Sequence, residues 1–394
     1  MRTEKVRHLG TAVLILVIIS LIGLLMKRAI LHDQFTPKII KICQNELPKS
    51  RCYDRELPKL MNTLSMEEVF VVTKNIQAQD TAYPYCHTLG HALATIETKK
   101  DPTKWKEVIA RCPSGVCSNG CIHGAFQERF RTESMPDDRI AEIKPELMTV
   151  CEARENWRPT GLERASCYHA LGHLLMYITQ ADIVRSTDLC DAIANTGGSG
   201  DFRNVCYDGA FMQIFQPLEP DDLSLIRGKE VDRQGHDMFC RRFFGEKQTS
   251  CITEGWPLYI SDLQQPEGLV KLCSKLTDQY RDRCINGLFY ILVVQLRFDL
   301  PSIKDYCLGL PESYRGRCFA MTASRLIETD YDNVDKAIAW CKGAGSQDIR
   351  ATCFQEFVKE SDFIFHPGSE KFSTLCSKVP EEWQKKCLEK NVKK

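Results

Sequence analysis

Twenty cysteines in a repeating pattern constrain this 394-residue chain more than any other feature of its sequence. The C-terminal pairs have ten or eleven residues between their members: Cys240 with Cys251, Cys273 with Cys284, Cys307 with Cys318, Cys341 with Cys353, and Cys376 with Cys387. The first member recurs after 33, 34, 34 and 35 residues. A fixed period of about 34 residues predicts an array of helical hairpins.

The residues between these cysteines favour a short helix followed by a longer one. Residues 332–342 predict a short helix that contains Cys341, and 346–361 predict a longer one that contains Cys353, with Ser346 as its N-cap. Residues 278–296 and 314–327 predict longer helices of the same form. A turn of this length brings the two Cα atoms within the ~4.4–6.8 Å that a disulfide requires.

The same pattern extends towards the N-terminus. It predicts the bridges Cys43–Cys52, Cys151–Cys167 and Cys190–Cys206. Cys86, Cys112, Cys117 and Cys121 then remain, and two bridges among them allow three connectivities. The repeat register favours Cys112–Cys121 with Cys86–Cys117, which leaves no free thiol.

Two further positions recur around the second cysteine of each pair. The third residue after it is small in several repeats, as in Gly124, Gly209 and Gly287, which predicts close approach of neighbouring helices. An arginine stands three places before it, at Arg164, Arg203, Arg281, Arg315 and Arg350. This row favours ion pairs between repeats over an anion-binding surface.

These paired cysteines at a ~34-residue period resemble the tetratricopeptide and Sel1-like superfamily, especially its secreted cysteine-rich members. The resemblance is architectural and covers residues 41–394. It implies an all-α solenoid of hairpins, each stapled by one disulfide. It carries over no functional residue, because the consensus side chains of those repeats are absent.

Residues 9–26 are 18 uncharged, largely apolar residues, long enough to cross a bilayer as a helix. They predict one transmembrane signal anchor rather than a cleaved signal peptide, since no cleavage motif follows. Residues 1–8 are then a cytoplasmic tail and 27–40 a juxtamembrane linker. The cysteines indicate an oxidising compartment, so we expect residues 27–394 in the periplasm, at the cell surface or in a lumen.

The pattern of cysteines and histidines divides residues 41–394 into two regions. Residues 41–235 predict irregular helical repeats that contain the paired histidines, and 236–394 predict regular cysteine-paired repeats. Lys+Arg and Asp+Glu are equal at 52 each, which argues against a protein that binds nucleic acid through bulk positive charge.

Histidines form the main candidate site. His87-Thr-Leu-Gly-His91 and His169-Ala-Leu-Gly-His173 share the pattern H-x-L-G-H, and His123 lies on the helix between them. Histidines four residues apart share one helical face. Three adjacent helices would thus offer a ligand set for zinc, copper, iron or a bis-histidine haem. The nearby carboxylates Glu97, Glu128 and Asp208 are expected to complete such a site or to act as a base.

A packing role for these histidines stays open at this point. The position two after the second cysteine is polar in most repeats, and later repeats keep the cysteines without the histidines. The H-E-x-x-H motif is absent, as are the G-x-S-x-G and phosphate-loop motifs, so the sequence does not decide whether the protein is an enzyme.

Two functional hypotheses follow. The first is a membrane-anchored, extracytoplasmic helical-repeat scaffold that binds a protein, peptide or glycan partner on its concave face. The second is a metal- or haem-binding protein that uses both H-x-L-G-H pairs and His123.

Overall fold

The computed structural model describes residues 34–130, 135–195, 200–217 and 220–392. The chain divides into two compact units, Met1–Pro84 and Tyr85–Lys394. No helix among the described residues is long and apolar enough to cross a membrane. The anchor predicted at 9–26 lies outside the described residues.

The first unit contains three helices in its described part: α1 (34–43), α2 (Lys49–Glu56) and α3 (Met66–Gln79). Cys43–Cys52 joins α1 to α2. A capping box between Ser65 and Glu68 starts α3.

The second unit is built from helical hairpins. Its helices are α4 (His87–Lys100), α5 (Trp105–Arg111), α6 (Gly120–Phe130), α7 (Asp137–Val150), α8 (Gly161–Ile178), α9 (Ile183–Ile193), α10 (Arg203–Phe215), α11 (Pro220–Leu225), α12 (His236–Cys240), α13 (Gly245–Glu254), α14 (Ile260–Leu263), α15 (Pro266–Cys273), α16 (Asp278–Gln295), α17 (Leu300–Gly309), α18 (Glu312–Thr329), α19 (Val334–Lys342), α20 (Gln347–Ile364), α21 (Glu370–Lys378) and α22 (Glu381–Leu388). An all-α architecture with paired disulfides is therefore confirmed for the described residues.

Ten disulfides join the pairs that the repeat register predicts, including Cys86–Cys117 and Cys112–Cys121. No free cysteine remains. Most bridges connect the end of a short helix to the start of the next long one, as Cys341 of α19 and Cys353 of α20 do with Cα atoms 5.6 Å apart.

Two of the recurrent arginines hydrogen-bond the turns that follow the short helices. Arg315 donates to the carbonyl of Leu310 at 2.8 Å, and Arg350 donates to that of Gly345 at 2.8 Å. Both carbonyls lie after the end of a short helix, so each guanidinium supplies a partner to a turn carbonyl. Arg164 and Arg203 form ion pairs instead, with Glu152 and Asp201.

The long helices of successive hairpins pack side by side in the order α4, α6, α8, α10, α13, α16, α18 and α20. The array then returns on itself, because α20 also packs against α8. The Tyr331 amide donates to the Gly115 carbonyl at 3.3 Å, and His366 Nε2 lies 2.9 Å from the Arg158 carbonyl. The second unit thus has contacts between its first and last repeats, beyond the neighbour contacts of a simple solenoid.

Candidate metal centre

Five histidines from three adjacent helices form one cluster, in which His123 is buried and the other four are half-buried. His87 and His91 lie one turn apart on α4, His123 lies on α6, and His169 and His173 lie one turn apart on α8. We call these five residues the histidine cluster. The His123 ring is central: its centroid is 5.0 Å from those of His87 and His91, 5.3 Å from His169 and 5.9 Å from His173.

Glycines allow the backbones of these helices to approach. A Cβ added at Gly90 would lie 2.9 Å from the Cys121 amide nitrogen, and one at Gly124 would collide with the His91 carbonyl oxygen. At the second pair, a Cβ at Gly209 would collide with the His169 carbonyl oxygen. The glycine of each H-x-L-G-H motif, together with the small residue after the next second cysteine, therefore sets the spacing of α4 with α6 and of α8 with α10.

A strained turn supports the first histidine pair. Cys117, Ser118 and Asn119 have φ values of 52°, 48° and 57°, a left-handed conformation that costs about 1–3 kcal/mol per non-glycine residue. The disulfide Cys86–Cys117 ties this turn to the start of α4. His87 Nδ1 lies 3.2 Å from the Ser118 carbonyl oxygen and donates to it.

This hydrogen bond fixes which nitrogen of His87 can bind a metal. A neutral imidazole that donates through Nδ1 keeps a lone pair on Nε2. His87 Nε2 lies 3.1 Å from His91 Nε2. Without metal this is a hydrogen bond that His91 Nε2–H donates to His87 Nε2, whereas a His91 ring with its proton on Nδ1 leaves both Nε2 lone pairs for an ion. Two nitrogen ligands on one ion at about 2.0–2.1 Å lie about 3–3.4 Å apart, so this spacing suits a shared ion.

The second histidine pair has a similar arrangement. His173 Nε2 lies 3.2 Å from His169 Nε2, and His173 Nδ1 lies 2.8 Å from Gln213 Oε1. With this amide orientation His173 donates through Nδ1 and keeps its Nε2 lone pair, while Gln213 Nε2 is buried without a partner among the described residues. The opposite amide orientation would place the proton on His173 Nε2 and give a hydrogen-bonded pair without metal.

Burial keeps the cluster uncharged. Desolvation lowers the pKa of His87 and of His169 to about 3 in each case, with Arg325 a further cause for His87 and His173 for His169. Burial also lowers the pKa of His91, His123 and His173. Neutral imidazole is the form that coordinates metal ions.

His123 has no internal hydrogen-bond partner. Its side chain is buried, with the residue 7% exposed, and no hydrogen bond joins its ring to another residue in the described part of the chain. The ring lines the cavity beside the cluster, so its nitrogens are open to a bound ion or to water.

A small cavity of about 190 Å³ adjoins the cluster. His91, His123 and His173 line it together with Tyr177 and the buried carboxylate of Asp222. Tyr177 donates a short hydrogen bond to Asp222. The cavity thus gives the imidazoles an adjoining space that has one acidic group in its lining.

The three acidic residues expected as further ligands do not join the cluster. Glu97 forms ion pairs with Lys100 and Arg111, and Asp208 forms one with Arg283. Within the part of the chain that the structure describes, the compact ligand groups around His123 contain histidines alone and so exclude Glu128.

Several residues of this site were missed by the sequence analysis. Asp222 and Gln213 lie on later helices without any motif, and Arg325 is more than 200 positions from Tyr85, whose hydroxyl it contacts at 3.4 Å. The Tyr85 ring in turn stacks on His87. Only the returning array brings Arg325 to this place, so no local pattern marks it.

His236 lies outside the histidine cluster, near sulfur atoms, and has a structural role. His236 lies 3.4 Å from Cys240 Sγ, but Cys240 is oxidised with Cys251 and offers no thiolate. The His236 ring instead hydrogen-bonds Tyr259 and the Cys251 carbonyl.

Comparison with known proteins identifies no relative. No family model matches the chain, and no curated protein or solved structure matches it. The resemblance to tetratricopeptide and Sel1-like repeats therefore stays at the level of disulfide-linked helical hairpins.

Proposed function

We propose that this chain is a metal-binding protein whose histidine cluster holds a transition-metal ion. The observation that carries the proposal is the gathering of five imidazoles from three helices, with the His123 ring in contact with the other four. The ligand atoms form two compact triads that share His123.

The ligand type indicates which ions fit. Neutral imidazoles suit zinc, copper and iron, whereas calcium and magnesium prefer oxygen ligands. The cavity of about 190 Å³ is smaller than the 300–1,000 Å³ typical of pockets for organic ligands, which favours a bare ion over haem.

The test is metal content after expression of the full-length chain in an oxidising compartment and purification without chelator. We expect about one or more zinc, copper or iron ions per chain, and loss of that metal in the double variant His91→Asn/His173→Asn. The matched control is His366→Gln, since His366 lies outside the cluster. Wild-type protein that stays free of metal, even after incubation with each ion, would refute the proposal.

The ten disulfides support a location in an oxidising compartment. With residues 9–26 as the anchor, we propose that residues 27–394 work outside the cytoplasm.

Partner binding is a second candidate function, and one surface favours it. An open cleft of about 1,130 Å³ in the second unit is lined by Arg154, Arg158, Arg164 and Lys390, against the acidic residues Glu155 and Asp362. Lys390 pairs with Asp362 and Arg164 with Glu152, so an acidic peptide or glycan would meet chiefly Arg154 and Arg158 there. Arg158→Glu should abolish such binding while metal content is unchanged, and an unaffected affinity would remove this candidate.

A further inference from the structure

We infer that the histidine cluster holds two metal ions, one in each of two histidine triads, with His123 shared between them. This inference rests on the proposed metal-binding function and specifies its stoichiometry. The first triad is His87, His91 and His123, and the second is His123, His169 and His173.

Distances argue against a single ion that uses all five rings. Within each triad the ligand nitrogens lie within 4.8 Å of one another, but the five do not form one such group. Two nitrogens bound at about 2.1 Å on opposite sides of one ion are at most about 4.2 Å apart. One ion can therefore use the ligands of one triad only, and the other triad remains a complete ligand set.

The two outer pairs are independent of each other. His87 and His91 are one turn apart on α4, and their Nε2 atoms are 3.1 Å apart. His169 and His173 repeat this on α8 at 3.2 Å. Each pair can bind one ion through its two Nε2 atoms. His123, on the helix between the two pairs, belongs to the ligand group of each.

His123 has the chemistry that a shared ligand needs. An imidazole has two nitrogens on different edges of its ring, and neither is used by a hydrogen bond to another described residue here. One nitrogen binds each ion. The ring must then lose its remaining N–H proton, which passes to solvent when the second ion binds.

Both ions would face the same space. The cavity of about 190 Å³ is lined by His91 from the first triad, His173 from the second and the shared His123. Three protein ligands leave a fourth position open on each ion, the arrangement typical of catalytic rather than structural zinc. The volume admits water or a small anion there.

The primary experiment counts ions. Full-length chain is freed of metal with a chelator, titrated with Zn²⁺, separated from free ion and analysed for zinc. We expect two ions per chain for wild type and for the control His366→Gln, and one for His87→Asn/His91→Asn or for His169→Asn/His173→Asn. One ion in wild type would overturn this inference and leave the proposed function standing, whereas none would refute both.

A second experiment tests the shared ring itself. In protein loaded with Cu²⁺, a bridging imidazolate couples the two unpaired electrons, so the integrated electron paramagnetic resonance signal should fall below two spins per chain. His123→Asn should abolish this coupling and weaken Zn²⁺ affinity by about a hundredfold or more, since direct ligands matter more than their supports. Circular dichroism checks that His123→Asn folds. The two double variants of the first experiment test the two-ion proposal independently. Two uncoupled ions in wild type, or unchanged affinity in His123→Asn, would overturn the shared ligand.

Discussion

Glu328 is a buried carboxyl, and binding of a proton removes the charge that pairs with Arg325. It lies 3.3 Å from Arg325 and is 8% exposed. Burial raises the pKa of Glu328 to about 7, while Arg325 opposes the rise and Glu360 adds to it. The folded state therefore binds this proton more tightly than the unfolded state, whose glutamate has a pKa near 4.5. The stability from this proton is complete below pH ~4.5 and is lost as the pH rises through about 7.

Glu328→Gln should remove this pH dependence. Between pH 5 and 8 the wild type should lose about 2–3 kcal/mol of unfolding free energy relative to the variant, since one pKa unit corresponds to 1.36 kcal/mol. Denaturant unfolding of both proteins at several pH values measures the difference. Other titrating groups, including the histidines, cancel in this comparison. Parallel pH profiles would show that Glu328 is ionised throughout.

At the residue scale, the sequence predicted which histidines lie together but not the residues around them. The spacing of His87 and His91 places both rings on one helical face in any α-helix, so their proximity follows from local geometry. Gln213 and Asp222 come from other helices, and their approach depends on packing that no local pattern describes. Glu97 does not join the ligand groups around His123, because it pairs locally with Lys100 on the same helix and with Arg111 of α5.

At the scale of elements, glycine contacts set how closely neighbouring long helices approach one another. Gly124, Gly209 and Gly287 all stand three places after a second cysteine. The first two face a backbone carbonyl of the preceding histidine-bearing helix, whereas a Cβ at Gly287 would meet only the Thr253 methyl carbon, at 3.0 Å. The pairs α4 with α6 and α8 with α10 are thus packed more closely at these glycines than α13 with α16.

Gly124→Ala should separate α4 from α6 and weaken metal binding at least about tenfold, with a loss of about 1–3 kcal/mol in stability from overpacking. The matched control is Gly287→Ala, where a side chain can move aside and the gain in helix propensity is up to about 1 kcal/mol. Zinc titration and thermal unfolding compare the two variants. Equal effects of both on zinc affinity would show that helix spacing does not control the site.

Helix ends show how far sequence reasoning reaches at this scale. Residues 278–296 and 346–361 were predicted as long helices, and the structure has Asp278–Gln295 and Gln347–Ile364. The start at Ser346 was predictable because its hydroxyl caps the Ile349 amide, a local interaction. The C-terminal end of α20 was three residues beyond its prediction, since buried Ile364 extends the helix through tertiary contacts.

At the scale of the second unit, the contact between its first and last repeats is the feature that the cysteine period does not predict. Neighbour packing explains the positions of α13 and α16, but not the approach of Tyr331 to Gly115 or of Phe363 to Gly161. These residues have no place in the cysteine period, so the sequence predicted a curved array without its return. The same return brings Arg325 to Tyr85 beside the histidine cluster.

Gly115→Ala should disrupt this contact. Gly115 has φ +64°, and a Cβ there would enter the Tyr331 ring. Gly368→Ala is the matched control, because Gly368 has φ +82° with nothing within 4 Å of an added Cβ. Both variants lose about 1–2 kcal/mol from the left-handed backbone, and Gly115→Ala should lose about 1–3 kcal/mol more from the clash. Denaturant unfolding measures the two losses, and equal values would mean that the contact contributes no stability.

The crossed bridges beside the histidine cluster have a consequence for biosynthesis. An oxidase that joined cysteines in order of their emergence during translation would form eight native bonds, but it would link Cys86 to Cys112 and Cys117 to Cys121. The native partners, Cys86–Cys117 and Cys112–Cys121, interleave along the chain. Maturation of this protein should therefore depend on a disulfide isomerase. Oxidative refolding without that enzyme should accumulate a misbridged form in which α4 is not tied to the Ser118 turn, and mass mapping of its disulfides would reveal it.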